Sequence, residues 1–442
     1  MSPDPTARRT ERPAWVVLDL GFGDAGKGAT IDHLTRRLEA DVVVRHHGGA
    51  QAGHNVVLPG GRHHCFSQIG SGSFVRGVRT LLADAFVLHP LALLIESEHL
   101  AREGIDDALA RLTIDARARV ITPYQQAEVH LRELGRGRSG HGTTGVGIDA
   151  CVRDAAAGHD DCVVAGDLVD PDAVRARLER QQERKRAELA ELRDLLTRKH
   201  VDLRVERAFG LLDDSTASKR IVEAWNSLRK VEIAPPGQVE QRIAEARQPL
   251  FEGAQGVMLD ETWGLHPYVS WGDTTPASAH RLLGDRPAYV LGLTRTTTCR
   301  HGPGPLPGQD PNLDVLAEPH NSGSGWQGAF RHGALDLVLL RYAAQVVGHL
   351  DAVVINHMDQ PRGAWPMVVG HRVKGGAVST WDPGEADDIA GRAELARSLM
   401  RAKPEIQRGG PGELRHAVRE AVSAEILIEG WGPTWKDRVW RG

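Results

Sequence analysis

Residues 15–30 read WVVLDLGFGDAGKGAT, and this stretch decides the fold. Trp15 to Leu20 is an apolar run interrupted only by Asp19, the pattern of a parallel strand with both faces buried. A glycine-rich turn follows, and Ile31 to Leu38 then reads as an amphipathic helix. Gly21, four further residues, Gly26 and Lys27 fit a phosphate-binding loop, in which backbone N–H groups and a lysine surround polyphosphate at a helix N-terminus. The Ser or Thr that normally follows the lysine and holds Mg²⁺ is Gly28 here, so Asp24 is the candidate to hold the metal. Such a turn is often only a tight connection. Lysine and aspartate together in it favour the phosphate reading.

Outward from this segment, further strands are predicted at Asp41–Arg45 (DVVVR), Leu250–Glu252, Ala288–Leu293 and Ala352–Asn356 (AVVIN). Strands spaced by helical stretches predict an α/β fold with a large, mostly parallel central sheet and flanking helices. Pro171–His200 differs: Val174, Leu178, Leu189, Leu192 and Leu195 lie among dense charges, which predicts a long amphipathic surface helix within a helical insertion at about 165–235. With no internal repeat or low-complexity linker, residues 14–442 read as a single elaborated domain behind a polar tail at 1–13.

Composition narrows the class. The chain has 442 residues, a net charge of −4, 41% hydrophobic and 25% charged residues, a balance that excludes disorder and offers no basic footprint for nucleic acid. Cys65, Cys151, Cys162 and Cys299 are too scattered for a zinc knuckle or a disulfide framework. The first residues, MSPDPTARRTERPA, lack an apolar core, and no stretch approaches the roughly 18 apolar residues that span a bilayer; a cytoplasmic protein without membrane contact is expected. Glycine is abundant, 49 residues, and clusters in the loops discussed here.

A second cluster, RHHGGAQAGH at 45–54, pairs adjacent glycines with histidines. With 21 histidines in the chain, one in a loop is ordinarily a surface residue, and His54 is singled out by its context. That context is a set of ordered segments: GFGDAGKGAT, VVVRHHGGAQAGHNVVL, SGHGTTGVGID, LFEGAQGVMLD, HPYVSWGDTTPAS, RHGPGPLPGQD and VVINHMD. Together they resemble the adenylosuccinate synthetase family, which joins inosine monophosphate to L-aspartate at the expense of GTP. The resemblance implies a Mg²⁺-dependent ligase and a homodimer, with nucleotide and amino-acid substrates.

It also implies residue roles. Asp24 is the expected base for the purine N1 proton, His54 the group that stabilises phosphate oxygens and assists as acid, and Lys27 and Gln255 complete the catalytic set. Gly23, Asp24, Gly26, Lys27, Gly28, Asn356, His357, Asp359 and Gly432 are expected at GTP, with Asp359 accepting from guanine N1–H and the exocyclic amine. Gln51, Thr143, Thr144, Gln255 and Ser270 are expected at the acceptor nucleotide, and Asp24 with the Gly53 carbonyl at Mg²⁺. Arg300, Trp326 and Arg331 fall in the region expected to meet the amine donor.

Departures from the family pattern concentrate in that last region. The family's aspartate loop carries a run of arginines suited to a dicarboxylate. Here the corresponding HNSGSGWQGAFRHGALD, 320–336, holds Arg331 as its single arginine, with Trp326 and Phe330 in polar or cationic places. His357 stands for a lysine, Ser270 for a threonine, Gln51 for an asparagine, and Gly430 for a serine. Arg153 sits too early to serve as the arginine that reaches a neighbouring subunit's substrate phosphate. The expectation is a divergent member with an intact phosphoryl-transfer half and an amine donor that need not be aspartate. A conservative alternative keeps aspartate, gathered by Arg300 and Arg331. A GTP-binding protein without ligase activity would not need GHGTTG, GAQG or the histidine loop.

Overall fold

The computed structural model describes residues 12–137, 142–198, 202–316, 318, 321 and 326–441; residues 1–11 of the polar tail lie outside them. The central sheet is built from β1 (Ala14–Asp19), β2 (Val42–Arg45), β5 (Arg79–Leu82), β7 (Leu112–Asp115), β10 (Glu232–Ala234), β11 (Pro249–Glu252), β12 (Ala288–Arg295), β15 (Ala352–Asn356), β19 (Ile426–Gly430) and β20 (Arg438–Trp440). Their order is β10-β7-β5-β2-β11-β1-β12-β15-β19-β20, parallel throughout except for β20 at the edge. A second sheet joins β13 (Thr297–His301), β14 (Phe330–Asp336), β16 (Trp365–Val373), β17 (Gly376–Val378) and β18 (Lys403–Gly409). Two small sheets pair β3 (His54–Val57) with β4 (His63–Phe66), and β6 (Val87–Leu88) with β8 (Arg119–Val120) and β9 (Val163–Val164).

The unbroken apolar runs follow from burial on both faces. Val16, Val44, Phe251 and Val353 enter one core cluster, while their neighbours Val17, Val43, Leu250 and Val354 enter another across the sheet. Helices α1 (Lys27–Arg37), α2 (Pro90–Arg102), α3 (Pro123–Arg136), α4 (Ile148–Ala156), α9 (Gln238–Glu245), α10 (Ala277–Leu283), α11 (Leu337–Val347), α12 (Ile389–Arg401) and α13 (Pro411–Val422) complete the layers.

Four more helices, α5 (Pro171–Glu188), α6 (Ala190–Thr197), α7 (Leu203–Asp213) and α8 (Ala217–Trp225), lie between β9 and β10. The single long helix expected over 171–200 divides at Leu189, whose side chain is fully buried and turns the chain inward; Lys199 and His200 lie outside the described residues. One turn earlier, the buried Lys185 ammonium lies 2.6 Å from Glu128, 2.6 Å from Asp154 and 3.1 Å from Glu188. Glu128, Asp154 and Glu188 are close enough to hold a metal ion. Lys185 already supplies their counter-charge and ties α5 to α3 and α4.

Candidate active site

The strands that flank β1 set the phosphate loop at their carboxyl ends, where open α/β sheets bind ligands. Asp19, the last residue of β1, organises the loop from beneath: its carboxylate accepts from Gly21 N–H at 2.8 Å and Ala25 N–H at 2.9 Å. The Lys27 ammonium donates to the same carboxylate at 3.1 Å and to the Gln255 carbonyl at 2.6 Å. The loop is thereby fastened to the turn after β11.

A cleft of about 1650 Å³ opens above it. It is lined by all the residues assigned above to catalysis, GTP, acceptor nucleotide and metal, from Gly23 to Gly432, and by Arg300. Asp24, Gln255 and His357 stand in this lining with φ of 59°, 54° and 60°, left-handed values that side-chain-bearing residues seldom adopt. Such strain persists where surrounding structure enforces it, commonly at ligand sites.

Packing explains why Gly28 replaces Ser or Thr. A Cβ there would stand 2.7 Å from the Asn55 carbonyl oxygen and 2.8 Å from the His54 carbonyl carbon, because α1 lies directly on β3. Gly26, with φ of 84°, faces Asn356 in the same way, its Cβ position 2.9 Å from the amide nitrogen. Asn356 donates to the Ala25 carbonyl at 2.6 Å and so braces the phosphate loop. Its other flank rests against Gly430, which leaves no room for a side chain there.

His54 acquires a partner that its own segment does not reveal. Its Nδ1 lies 2.6 Å from the Glu252 carboxylate, 198 residues away, and a carboxylate only accepts, so Nδ1 carries the proton and Nε2 its lone pair. Glu252 is fully buried and also accepts from Ser71 N–H at 2.9 Å and from the Ser71 hydroxyl. Burial raises the cost of charge on Glu252, but Arg45, His54 and Ser71 outweigh it and hold the carboxyl down to about 2. Burial pulls His54 down to about 4, against the pull of Glu252, so the imidazole is neutral near pH 7. Negative phosphate arriving beside it favours the protonated form, for which Glu252 is the counter-ion.

Around Asp24, burial raises the carboxyl above its usual range, opposed by His301, Lys27 and Arg295. His301 Nε2 lies 3.5 Å from the carboxylate. Arg295, buried at the end of β12, donates to the Asp24 carbonyl at 3.2 Å and pairs with Glu318, another cleft residue. His357 is drawn down to about 3 by burial and by Arg295, leaving a neutral ring. Arg438, lowered to about 10 by burial, donates to the Gly432 carbonyl at 2.6 Å and fixes that segment beside Asp359. Asp19, Glu252, Arg295 and Arg438 are outside the set expected from sequence; the available signal was a charged residue in or beside an otherwise apolar strand.

The segment expected to meet the amine donor is arranged differently, and of its three residues only Arg300 lines the cleft, not Trp326 or Arg331. Trp326 stacks on His130 at 4.4 Å between ring centroids, with Arg204 over its ring at 5.4 Å, and so packs against the helical layer. Arg331 donates to the Gly302 and Gly304 carbonyls and to Gln309. Arg300 lines the cleft, yet its guanidinium donates to the carbonyls of Pro303, Pro305 and Tyr268 and lies 4.4 Å over Phe22.

This arrangement matches a known family. A sequence profile described as adenylosuccinate synthetase covers residues 16–390. The chain belongs to the adenylosuccinate synthetase family. It is 31% identical over 386 residues to the adenylosuccinate synthetase of Clostridium botulinum strain Eklund 17B, covering 85% of each chain. To that of Mycobacterium leprae it is 29% identical over 447 residues, 95% of this chain and 96% of the relative. Its fold resembles the fully ligated adenylosuccinate synthetase of Plasmodium falciparum, with TM-score 0.76 and 20% identity over 98% of this chain and 100% of that one. The succinoaminodeoxyadenylate synthetase of cyanophage S-2L, bound to dGMP and dATP, aligns with TM-score 0.60 and 17% identity over 97% and 95% of the two chains. The family comprises GTP-dependent ligases that form a C–N bond and use Mg²⁺. Among the described residues, no helix is long and apolar enough to cross a membrane.

Proposed function

We propose that this protein uses GTP to phosphorylate the 6-oxo group of IMP or a related purine nucleotide and then joins an amine at C6, releasing GDP and phosphate. The observation that carries this reading is the shared cleft of Asp24, Lys27, His54 and Gln255, with Asp359 and Gly432 in the same lining and Glu252 buried behind His54. In the first step Asp24 takes the purine N1 proton, O6 attacks the γ-phosphorus, and the bond to the β-phosphate oxygen breaks. Phosphoryl transfer asks mainly for alignment and charge stabilisation, here from Lys27, the loop N–H groups and the His54 imidazole backed by Glu252. In the second, the amine lone pair attacks C6 and phosphate leaves with the C6–O electron pair.

The oxygen donors suit Mg²⁺. Asp24 presents a carboxylate whose ion partner is an imidazole rather than a lysine or arginine, and Gly53 brings a main-chain carbonyl to the same lining. Bound there with the GTP phosphates, Mg²⁺ would neutralise charge on the transferring group. Thr143, Thr144, Gln51 and Ser270 are the groups to hold the acceptor, and Asp359 to select guanine; a homodimer is part of this reading.

The test is a matrix of purine monophosphates against amines, with GTP and ATP as phosphoryl donors, scored by phosphate release and product mass. Because the cyanophage neighbour holds dGMP and dATP, both belong in the matrix. Phosphate release that depends on a 6-oxopurine nucleotide and an amine is expected; release independent of both would refute the ligase assignment.

A further inference from the structure

We propose that His301 is a further metal ligand, its Nε2 joining the Asp24 carboxylate on one divalent cation, and that the site therefore takes a first-row transition ion such as Mn²⁺ more tightly than Mg²⁺. This rests on the metal-dependent ligase reading above and deepens it by naming a ligand and an ion.

Asp24 presents its carboxylate to the cleft, and among the described residues none donates a hydrogen bond to it. Two cations whose charge reaches it are engaged elsewhere. The Lys27 ammonium holds Asp19 at 3.1 Å and the Gln255 carbonyl at 2.6 Å, and Arg295 reaches the main-chain carbonyl of Asp24 at 3.2 Å while pairing with Glu318. The group that faces the carboxylate itself is His301, whose Nε2 lies 3.5 Å from Oδ2. That separation is longer than a good N–H···O hydrogen bond. It suits a shared ion, since two ligand atoms each about 2.1 Å from one cation lie at most about 4.2 Å apart.

The imidazole is set in place by packing. His301 ends β13, lines the cleft and stands opposite Phe330 in the β13–β14 ladder, with the two rings 4.7 Å apart. Its Nδ1 is buried and has no hydrogen-bond partner among the described residues. Other histidines near the cleft are pinned by carboxylates: His54 by Glu252 at 2.6 Å, and His332 by Asp314 at 3.1 Å and Glu318 at 3.4 Å. His301 is held by a phenyl face instead, and its one polar neighbour is the residue already assigned to the metal.

A nitrogen in the donor set changes which ion it favours. Mg²⁺ prefers oxygen ligands and gives up its waters reluctantly. Imidazole suits the first-row transition ions, whose affinity for mixed nitrogen and oxygen sites rises along the series from Mn²⁺ to Cu²⁺. Asp24, the Gly53 carbonyl and the GTP phosphates would supply oxygen to either ion, so His301 is the group that discriminates between them.

Electron spin-echo spectroscopy of the full-length protein loaded with Mn²⁺, with and without GDP, tests this directly, because a coordinated histidine nitrogen modulates the Mn²⁺ echo. A ¹⁴N coupling is expected in the parent and its loss in His301→Asn, with thermal melting as the check on folding. In that variant the ratio of the Mg²⁺ to the Mn²⁺ dissociation constant, from competition followed by the free Mn²⁺ signal, is expected to fall ~10-fold or more. Asp24→Asn is expected to weaken Mn²⁺ binding by a similar factor. No nitrogen coupling in the parent overturns the inference whether or not the variant folds; so does a coupling that survives His301→Asn, or Mn²⁺ binding indifferent to Asp24→Asn. The ligase reading is judged separately by positional isotope exchange in ¹⁸O-labelled GTP with a 6-oxopurine nucleotide and either ion. Exchange without nitrogen coupling overturns the His301 assignment and leaves the ligase reading standing. Nitrogen coupling without exchange for any 6-oxopurine nucleotide supports the ligand and overturns the ligase reading.

Discussion

Glu252→Gln is the most informative perturbation of the proposed chemistry, because it removes a charge while keeping a shape. Glu252 accepts from His54 Nδ1 at 2.6 Å and from Ser71 N–H at 2.9 Å, fully enclosed. Glu252→Ala would strand these buried donors at ~1–3 kcal/mol each, a serious loss against a total stability of about 5–15 kcal/mol. Glutamine keeps a carbonyl for Nδ1 and the Ser71 hydroxyl, loses the negative charge, and turns an amide nitrogen instead of an acceptor toward Ser71 N–H, a cost to stability that the melting measurement reads separately. Charge-assisted hydrogen bonds are roughly twice as strong as neutral ones, so ~1–2 kcal/mol of support for a positively charged imidazole disappears. At about 1.36 kcal/mol per tenfold in rate, that corresponds to a fall in kcat of ~5- to 30-fold. Steady-state phosphate release, alongside thermal melting and KM for GTP, reads this out. A folded Glu252→Gln enzyme with kcat within twofold of the parent would refute the idea that Glu252 acts through His54.

Three further predictions follow from the packing and the charges. Gly28→Ala forces a methyl against the His54 and Asn55 backbone and should cost ~1–3 kcal/mol, visible as a lower urea midpoint and weakened GTP binding; an unchanged midpoint contradicts the contact. Lys185→Met leaves Glu128, Asp154 and Glu188 without their shared cation and should destabilise by ~3–5 kcal/mol, checked by chemical denaturation, and added Mg²⁺ should restore little of it if the cluster is structural. Stability should fall with acid: burial holds His33 at about 4 and His47 at about 3, below the usual 6.5, so the unfolded chain binds protons first as pH drops from 6.5. Glu252, held at about 2, extends the loss below pH 4.5, and a melting temperature flat from pH 7 to 4 would contradict these placements.

What could be read from sequence was what is local. Trp15–Leu20 announces a doubly buried strand because each side chain meets a core, and GFGDAGKGAT announces a close approach because its glycines permit one. Pairings across the fold were not visible. The His54–Glu252 bond joins residues 198 apart, and no periodicity in either segment encodes that β11 lies beside β2 and leads the chain past the histidine loop. The commitment of Arg300 and Arg331 to loop carbonyls was equally hidden, since sequence counts cations but not which are already occupied. The strands β5, β7, β10 and β19, which lie away from the phosphate loop on either side of the sheet, carry no such local signal because they are short and pair only once the sheet exists. The division at Leu189 escaped for a related reason: a heavily charged stretch reads as one continuous helix until the leucine inside it finds a core.

The seam at Gly28 has a mechanical consequence. Helix α1 carries the phosphate loop on its leading end, strand β3 carries His54, and the two backbones meet without space for one added carbon. Elements in such contact cannot slide past each other, so a shift of the loop along α1 is resisted by the backbone that carries His54. On the proposed roles, seating the phosphoryl donor and positioning His54 are thereby coupled through one packed seam.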